Sequence, residues 1–212
     1  MMIVPKDAHL YTDAARKEKL DPTHYYRFKR RIRKVGTPLA FQPADLNKYP
    51  EWIQNKVKLN KSLFITGNDG TGKTRLMYAI AEWIVGNTLQ IPAMDDQFGD
   101  RGFIRFYTSS GILQMIKNTF GKRPEEYESE TGTPDNGEIL KKCHYLFIDD
   151  LGVEKQTEWA FEELFNIVDF RYAWRLPMII SSNLTLKELG EGWSKRIVRR
   201  IMESGDIIEL TK

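Results

Sequence analysis

The chain has 212 residues, with 32 Lys and Arg against 29 Asp and Glu, a formal net charge of +3, and 41% hydrophobic and 29% charged residues. That balance excludes a disordered or fibrous chain and leaves a globular protein long enough to bury a substantial core. No apolar run is long enough to cross a membrane, no secretory signal pattern is visible, one cysteine (Cys143) excludes an internal disulfide, and His9, His24 and His144 lack metal-ligand spacing.

The charge is uneven. Residues 1–50 carry eleven Lys/Arg and five Asp/Glu, whereas residues 51–212 carry twenty-one and twenty-four. A basic arm on a mildly acidic body suggests an anionic partner for the arm, or else a solvated helix face. Asp21-Pro22 is a helix start, a cap followed by proline at the first helical position. The helix runs on through Tyr25, Tyr26, Phe28 and Arg30 to Lys34, and Gly36-Thr37-Pro38 ends it. Residues 37–50 hold three prolines and read as linker. The expected domains are a basic helical N-terminal segment over 1–50 and a nucleotide-binding body over 51–212.

From residue 62 onward, strand and helix patterns alternate. Strands are expected at 62–66, 103–107, 145–149, 178–181 and 206–210. The intervening helices are expected at 73–85, 109–120, 138–143, 158–174 and 193–202. The predicted inward stripes are Leu76, Ala79, Ile80 and Trp83; then Ile112, Leu113 and Ile116; then Phe161, Leu164, Phe165 and Val168. Ser109 is the expected cap of its helix. Cys143, beside an apolar strand run, reads as a small buried side chain. Apolar strands alternating with helices predict an α/β fold, a five-stranded parallel sheet with helices on both faces.

The stretch Leu63-Phe64-Ile65-Thr66-Gly67-Asn68-Asp69-Gly70-Thr71-Gly72-Lys73-Thr74 organises the rest. It fits the phosphate loop G-x-x-x-x-G-K-[ST] at every required position, between a strand and a helix. Glycines allow loop N–H groups to converge on phosphate oxygens at a helix N-terminus. Lys73 supplies a charge for the β and γ phosphates, and Thr74 a hydroxyl for Mg²⁺. Asn68, Asp69, Thr71 and Arg75 complete the candidate cradle.

Tyr145-Leu146-Phe147-Ile148-Asp149-Asp150 ends an apolar strand in two carboxylates. Asp149 is the candidate Mg²⁺ partner, and Asp150 the acid that orients and polarises an attacking water. A whole strand and helix intervene between the two motifs, which is the additional-strand plan of ATP-hydrolysing P-loop proteins. Asn183 closes Ile179-Ile180-Ser181-Ser182-Asn183, where its amide can reach the water or γ-phosphate, or cap the turn before Leu184-Thr185. Arg196 and Arg200 share a helix face at i, i+4. They can serve a neighbouring subunit's nucleotide, face solvent, or contact DNA.

Over residues 50–212 these segments resemble the AAA+ ATPases of the helicase-loader group, DnaC and DnaI, with the transposition ATPase IstB and, more distantly, DnaA. Gly67–Thr74 looks like Walker A. Leu146 through Glu154 looks like the group's Walker B and its trailing L-G-x-E. Phe106-Tyr107-Thr108 through Phe120 resembles the loader strand and following helix. Ser181-Ser182-Asn183-Leu184 resembles sensor 1, and Arg196 to Ile201 the R-x-x-x-R helix, with Arg200 as the finger. The resemblance implies an ATP-dependent homo-oligomer, using Mg²⁺, that binds single-stranded DNA and delivers a replicative hexameric helicase; the lone cysteine and the absence of a signal pattern fit a reducing cytoplasm, and the compact size fits a bacterial or bacteriophage origin. It places DNA contacts at Lys117, Phe120, Lys122 and Arg123, and at Thr157 and Trp159, where cations beside aromatics suit stacking and phosphate attraction. Asp150 stands where AAA+ enzymes commonly have Glu, which implies slow turnover, stimulated by DNA or a partner. The chain ends soon after the fifth strand, so no C-terminal lid is expected. An IstB-like DNA-coating ATPase and a nucleotide-binding adaptor with incidental hydrolysis are the alternatives.

Overall fold

The computed structural model describes residues 40, 44–59, 61–87, 104–118, 136–153, 157–192 and 194–211. The basic helix expected over residues 22–34, and Phe120, Lys122, Arg123 and Trp193, lie outside the described residues.

A 3₁₀ turn (Leu46–Lys48) and α1 (Glu51–Lys58) lead into β1 (Ser62–Thr66) and α2 (Lys73–Asn87). Then come β2 (Ile104–Thr108), α3 (Ser109–Lys117), α4 (Asn136–Lys142), β3 (Tyr145–Asp149), α5 (Glu158–Ala173) and β4 (Met178–Ser182). The chain closes with α6 (Leu186–Gly192), α7 (Lys195–Ser204) and β5 (Gly205–Glu209). The five strands form one parallel sheet in the order β2-β3-β4-β1-β5. The predicted α/β architecture is therefore present, but the additional strand lying between the loop strand β1 and the acidic strand β3 is β4; the strand that intervenes in sequence, β2, lies at the edge beyond β3.

Burial follows from position in that order. The three inner strands are buried along their whole length, whereas the edge strands β2 and β5 are only partly covered. Alternate residues serve opposite faces. Leu63, Ile65, Phe147 and Ile179 pack with Ile53 and Val57 of α1 and with Leu76, Met77 and Ile80 of α2. Phe64, Leu146, Ile148 and Ile180 face the other way, toward Ile112, Leu113, Leu140, Leu164, Val168, Ile197 and Ile201. The chain leaves β1 over the first face toward β2, and leaves β4 over the second face toward β5. The two neighbours thus diverge on opposite sides, which opens a crevice at their C-terminal ends where ligands of such sheets bind.

Four local expectations change. Ala44 and Leu46, read as linker, are buried in the first-face core. Glu51–Lys58 is helical because Ile53 and Val57, one turn apart, share a buried stripe. Leu186–Gly192 is an additional helix, opened by a capping box in which Thr185 N donates to Glu188 Oε2 (2.7 Å) and Glu188 N to Thr185 Oγ1 (3.2 Å). Finally, Thr108 rather than Ser109 caps α3, accepting from Gly111 N at 3.0 Å. Strand β2 runs one residue further than its apolar pattern suggests, pairing Thr108 with Asp149. Among the described residues no helix is long and apolar enough to cross a membrane.

Candidate nucleotide site

The loop after β1 takes the shape its glycines permit, with φ of 150°, 75° and 91° at Gly67, Gly70 and Gly72. Gly67 also lies so close to the chain beyond β5 that a Cβ there would strike the Leu210 carbonyl. Around Gly70 and Gly72 the Cβ positions are open, so that side of the loop remains accessible. Asn68 and Asp69 are exposed, Thr71 is half-buried and donates to Asn68 O at 2.9 Å, and Arg75 is exposed on the first turn of α2. The end of β1 is braced on both sides: Leu210 N donates to Thr66 O (2.8 Å), and Thr66 Oγ1 donates to Leu184 O (3.0 Å).

Lys73 is buried, and its ammonium donates to Gly67 O at 2.7 Å and Asn68 O at 3.0 Å. The charge therefore sits inside the loop it serves. Thr74 Oγ1 donates to Asp149 Oδ2 at 2.9 Å. A hydroxyl and a carboxylate oxygen at that spacing are the hard donor pair that Mg²⁺ takes when phosphates supply further ligands. Loop and donors together fit a magnesium nucleotide. Asp149 itself is buried, and its other oxygen, Oδ1, accepts from the buried Ser181 hydroxyl.

Asp150 follows immediately, with φ of +56°. Its N–H donates to Ser181 Oγ at 3.0 Å, and its carbonyl accepts from Ser109 Oγ at 2.8 Å. Asn183 is half-buried just past β4, and its side chain makes no hydrogen bond among the described residues. The turn is closed instead by Ser182, whose Oγ accepts from Leu184 N (3.0 Å) and donates to Leu151 O (2.6 Å). Tyr78 stacks on Phe106 (centroids 4.3 Å apart) and Phe106 on Phe147 (5.3 Å), a ladder the sequence reading does not anticipate. Burial, and then the nearby Asp149 charge, push the Tyr78 hydroxyl above its ordinary pKa.

The structure brings Thr74 and Asp149 into contact, with Lys73 and Asp150 as their chain neighbours, but engages the two arginines elsewhere. Arg200 Nε lies 2.8 Å from Asp169 Oδ1 of α5, and the Arg196 guanidinium 3.8 Å from the Phe165 ring centroid. Of the expected DNA contacts, Lys117 and Trp159 meet, the ammonium 4.8 Å from the indole centroid, although Trp159 also packs on the core. Thr157 is the cap of α5, accepting from Ala160 N at 3.2 Å. Ser181 and Ser109 are residues whose positioning the sequence reading missed. No local signal marks either, since their contacts join segments 31 and 41 residues apart.

Fold and site together define an additional-strand P-loop domain. The helicase loader DnaC has a solved structure that superimposes with a TM-score of 0.59 at 17% identity, over 82% of this chain and 100% of that one. DnaI superimposes at 0.58 and 20% identity, over 82% and 95%. In sequence, the phage-like element PBSX protein XkdC of Bacillus subtilis is 27% identical over 178 residues, 79% of this chain and 58% of XkdC. No family profile matches the chain. The chain spans 58%, 40% and 39% of the lengths of three curated relatives it matches. The chain thus shares the fold of DnaC and DnaI.

Proposed function

We propose that this protein is an ATP-hydrolysing loader of a replicative DNA helicase, assembling as a homo-oligomer with ATP at subunit interfaces and binding single-stranded DNA. The observation that carries the reading is the Thr74–Asp149 contact at 2.9 Å beneath the Lys73 loop. Thr74 and Asp149 are the residues that would hold Mg²⁺, whose chemistry there would be neutralisation of phosphate charge. Lys73 exchanges the Gly67 and Asn68 carbonyls for phosphate oxygens as the triphosphate enters. Asp150 then orients the attacking water and Asn183 donates to the water or the γ-phosphate. The Arg200 of a neighbouring subunit completes the site after leaving Asp169. Asp150 reaches less far than Glu would, so turnover is slow until DNA or the helicase closes the assembly. Lys117, on the Trp159 ring, offers single-stranded DNA a charge and a stacking edge.

The test is ATP turnover with and without single-stranded DNA, alongside capture of a hexameric helicase by the full chain with ATP and Mg²⁺. Stimulated turnover that Asp150→Asn lowers about 100-fold or more, together with helicase capture, is the expected result. Capture of a transposase instead supports an IstB-like role, and nucleotide binding with no turnover in any condition supports an adaptor.

A further inference from the structure

We propose that Ser181 is the positioning residue that sets both acids of the site, choosing which oxygen Asp149 offers the metal and holding Asp150 in its left-handed backbone conformation. The proposal rests on the magnesium-nucleotide reading above.

The Ser181 hydroxyl has one proton and accepting lone pairs, and both capacities are used. It donates to Asp149 Oδ1 and accepts from the Asp150 N–H at 3.0 Å. Its own carbonyl accepts from Leu151 N at 2.8 Å. One fully buried residue on β4 therefore grips three consecutive residues at the end of β3. The consequence for Asp149 is selective. With Oδ1 taken by Ser181, Oδ2 is the oxygen turned to Thr74, and so to the cation. For Asp150 the consequence is conformational. A φ of +56° is unusual for a residue with a Cβ and persists where surrounding contacts over-determine it. Among those contacts are Ser181 on the N–H side and Ser109, also buried, on the carbonyl side. Backbone conformation fixes the direction in which the Asp150 side chain leaves the strand.

The local sequence permits this because β4 ends in two serines. Ser182 serves the following turn, through Leu151 O and Leu184 N, and Ser181 is free for the acids. In the sheet register Ile148 pairs with Ile180, so Asp149 and Ser181 are the next residues along their two strands. A side chain at 181 without a hydroxyl would leave the Asp150 N–H unmatched and Asp149 free to rotate. Misplacement of a reacting group by about 1 Å costs on the order of a hundredfold in rate.

The test compares Ser181→Ala, Ser181→Thr and Ser181→Val in the full chain. Thr and Val are nearly isosteric, so the pair isolates the hydroxyl even if Ala disturbs packing. Two readouts are needed besides melting temperature: the affinity of a fluorescent ATP analogue as Mg²⁺ is titrated from EDTA upward, and kcat against KM for ATP. Expected for Ala and Val are metal-free analogue affinity within about twofold of wild type, a roughly tenfold higher Mg²⁺ requirement, and kcat roughly 10- to 100-fold lower with KM little changed. Thr restores the Mg²⁺ requirement and kcat. Wild-type Mg²⁺ dependence and kcat in Val, or Thr as impaired as Val, overturns the proposal while leaving the nucleotide site standing. Wild-type protein that binds no nucleotide overturns both.

Discussion

Arg171 lies wholly out of solvent on α5, with its guanidinium aimed at backbone carbonyls. Nη1 donates to Leu140 O (2.9 Å) and Cys143 O (2.8 Å), and Nη2 to Pro177 O (2.7 Å) and His144 O (3.1 Å). One side chain thereby closes the end of α4, the approach to β3 and the approach to β4. The cation suits a helix C-terminus, where unpaired carbonyls carry partial negative charge. Nothing in the sequence distinguishes Arg171 from the arginines of α7, since three of the four carbonyls just named lie 27 to 31 residues away. Arg171→Met is expected to lower stability by roughly 3–5 kcal/mol, because several buried carbonyls lose their donor together. Arg171→Lys recovers little of it, an ammonium being unable to span the same fork. Urea denaturation measures the loss. Cys143 gives a second readout, since burial pushes its thiol above the usual range, an effect the Arg171 charge only partly offsets. Wild-type thiol labelling at pH 8 therefore waits for opening of the fold, whereas the Met variant labels faster.

At the scale of elements, α7 is the one whose surroundings differ from its proposed duty. Ser194 caps it, Ile197 and Ile201 bury one stripe, and the arginines at i, i+4 lie along α5. Asp169 and Arg200 are both partly exposed, at 40% and 26%, so their pairing is worth only about 0–1 kcal/mol. Under the proposed function a latch that weak would yield to a partner's triphosphate, an arginine finger being worth roughly 10³–10⁵ in rate in related chemistries. Arg200→Ala is expected to keep nucleotide affinity and to change stability by under about 1 kcal/mol, while losing at least about 10³-fold in turnover. Mixing it with Lys73→Ala subunits restores part of the rate, because at some interfaces an intact loop meets an intact arginine. Turnover assayed across mixing ratios checks this. An undiminished rate in Arg200→Ala, or no recovery at any ratio, would show that α7 does not act between subunits.

For the whole molecule, what was legible depended on how local the cause is. Strand β3 and the loop were legible because an apolar run and a glycine spacing are written in consecutive residues. The helix α6 was equally legible through its Thr185–Glu188 box and was missed, as was the Ile53–Val57 stripe of α1. The grip of Ser181 on Asp149 and Asp150 was not legible, because it requires the register of β3 against β4. The site shares that non-locality: Thr74 and Asp149 are 75 residues apart, and Thr66 is tied to a carbonyl 118 residues away. A ligand held by so many separate segments binds the folded chain and not the unfolded one, so its binding energy adds to global stability. Magnesium ATP at a hundred times its dissociation constant is expected to add about 2.7 kcal/mol, or about 5–10 °C in melting temperature for a chain of this size. Lys73→Ala removes that increment. Amide exchange should slow with nucleotide not only in the loop but along β3 and β4, since opening either strand dismantles the site. Slowing confined to the loop would mean that the cradle closes on phosphate without drawing on the sheet, and the acids of β3 would then have no part in holding the nucleotide.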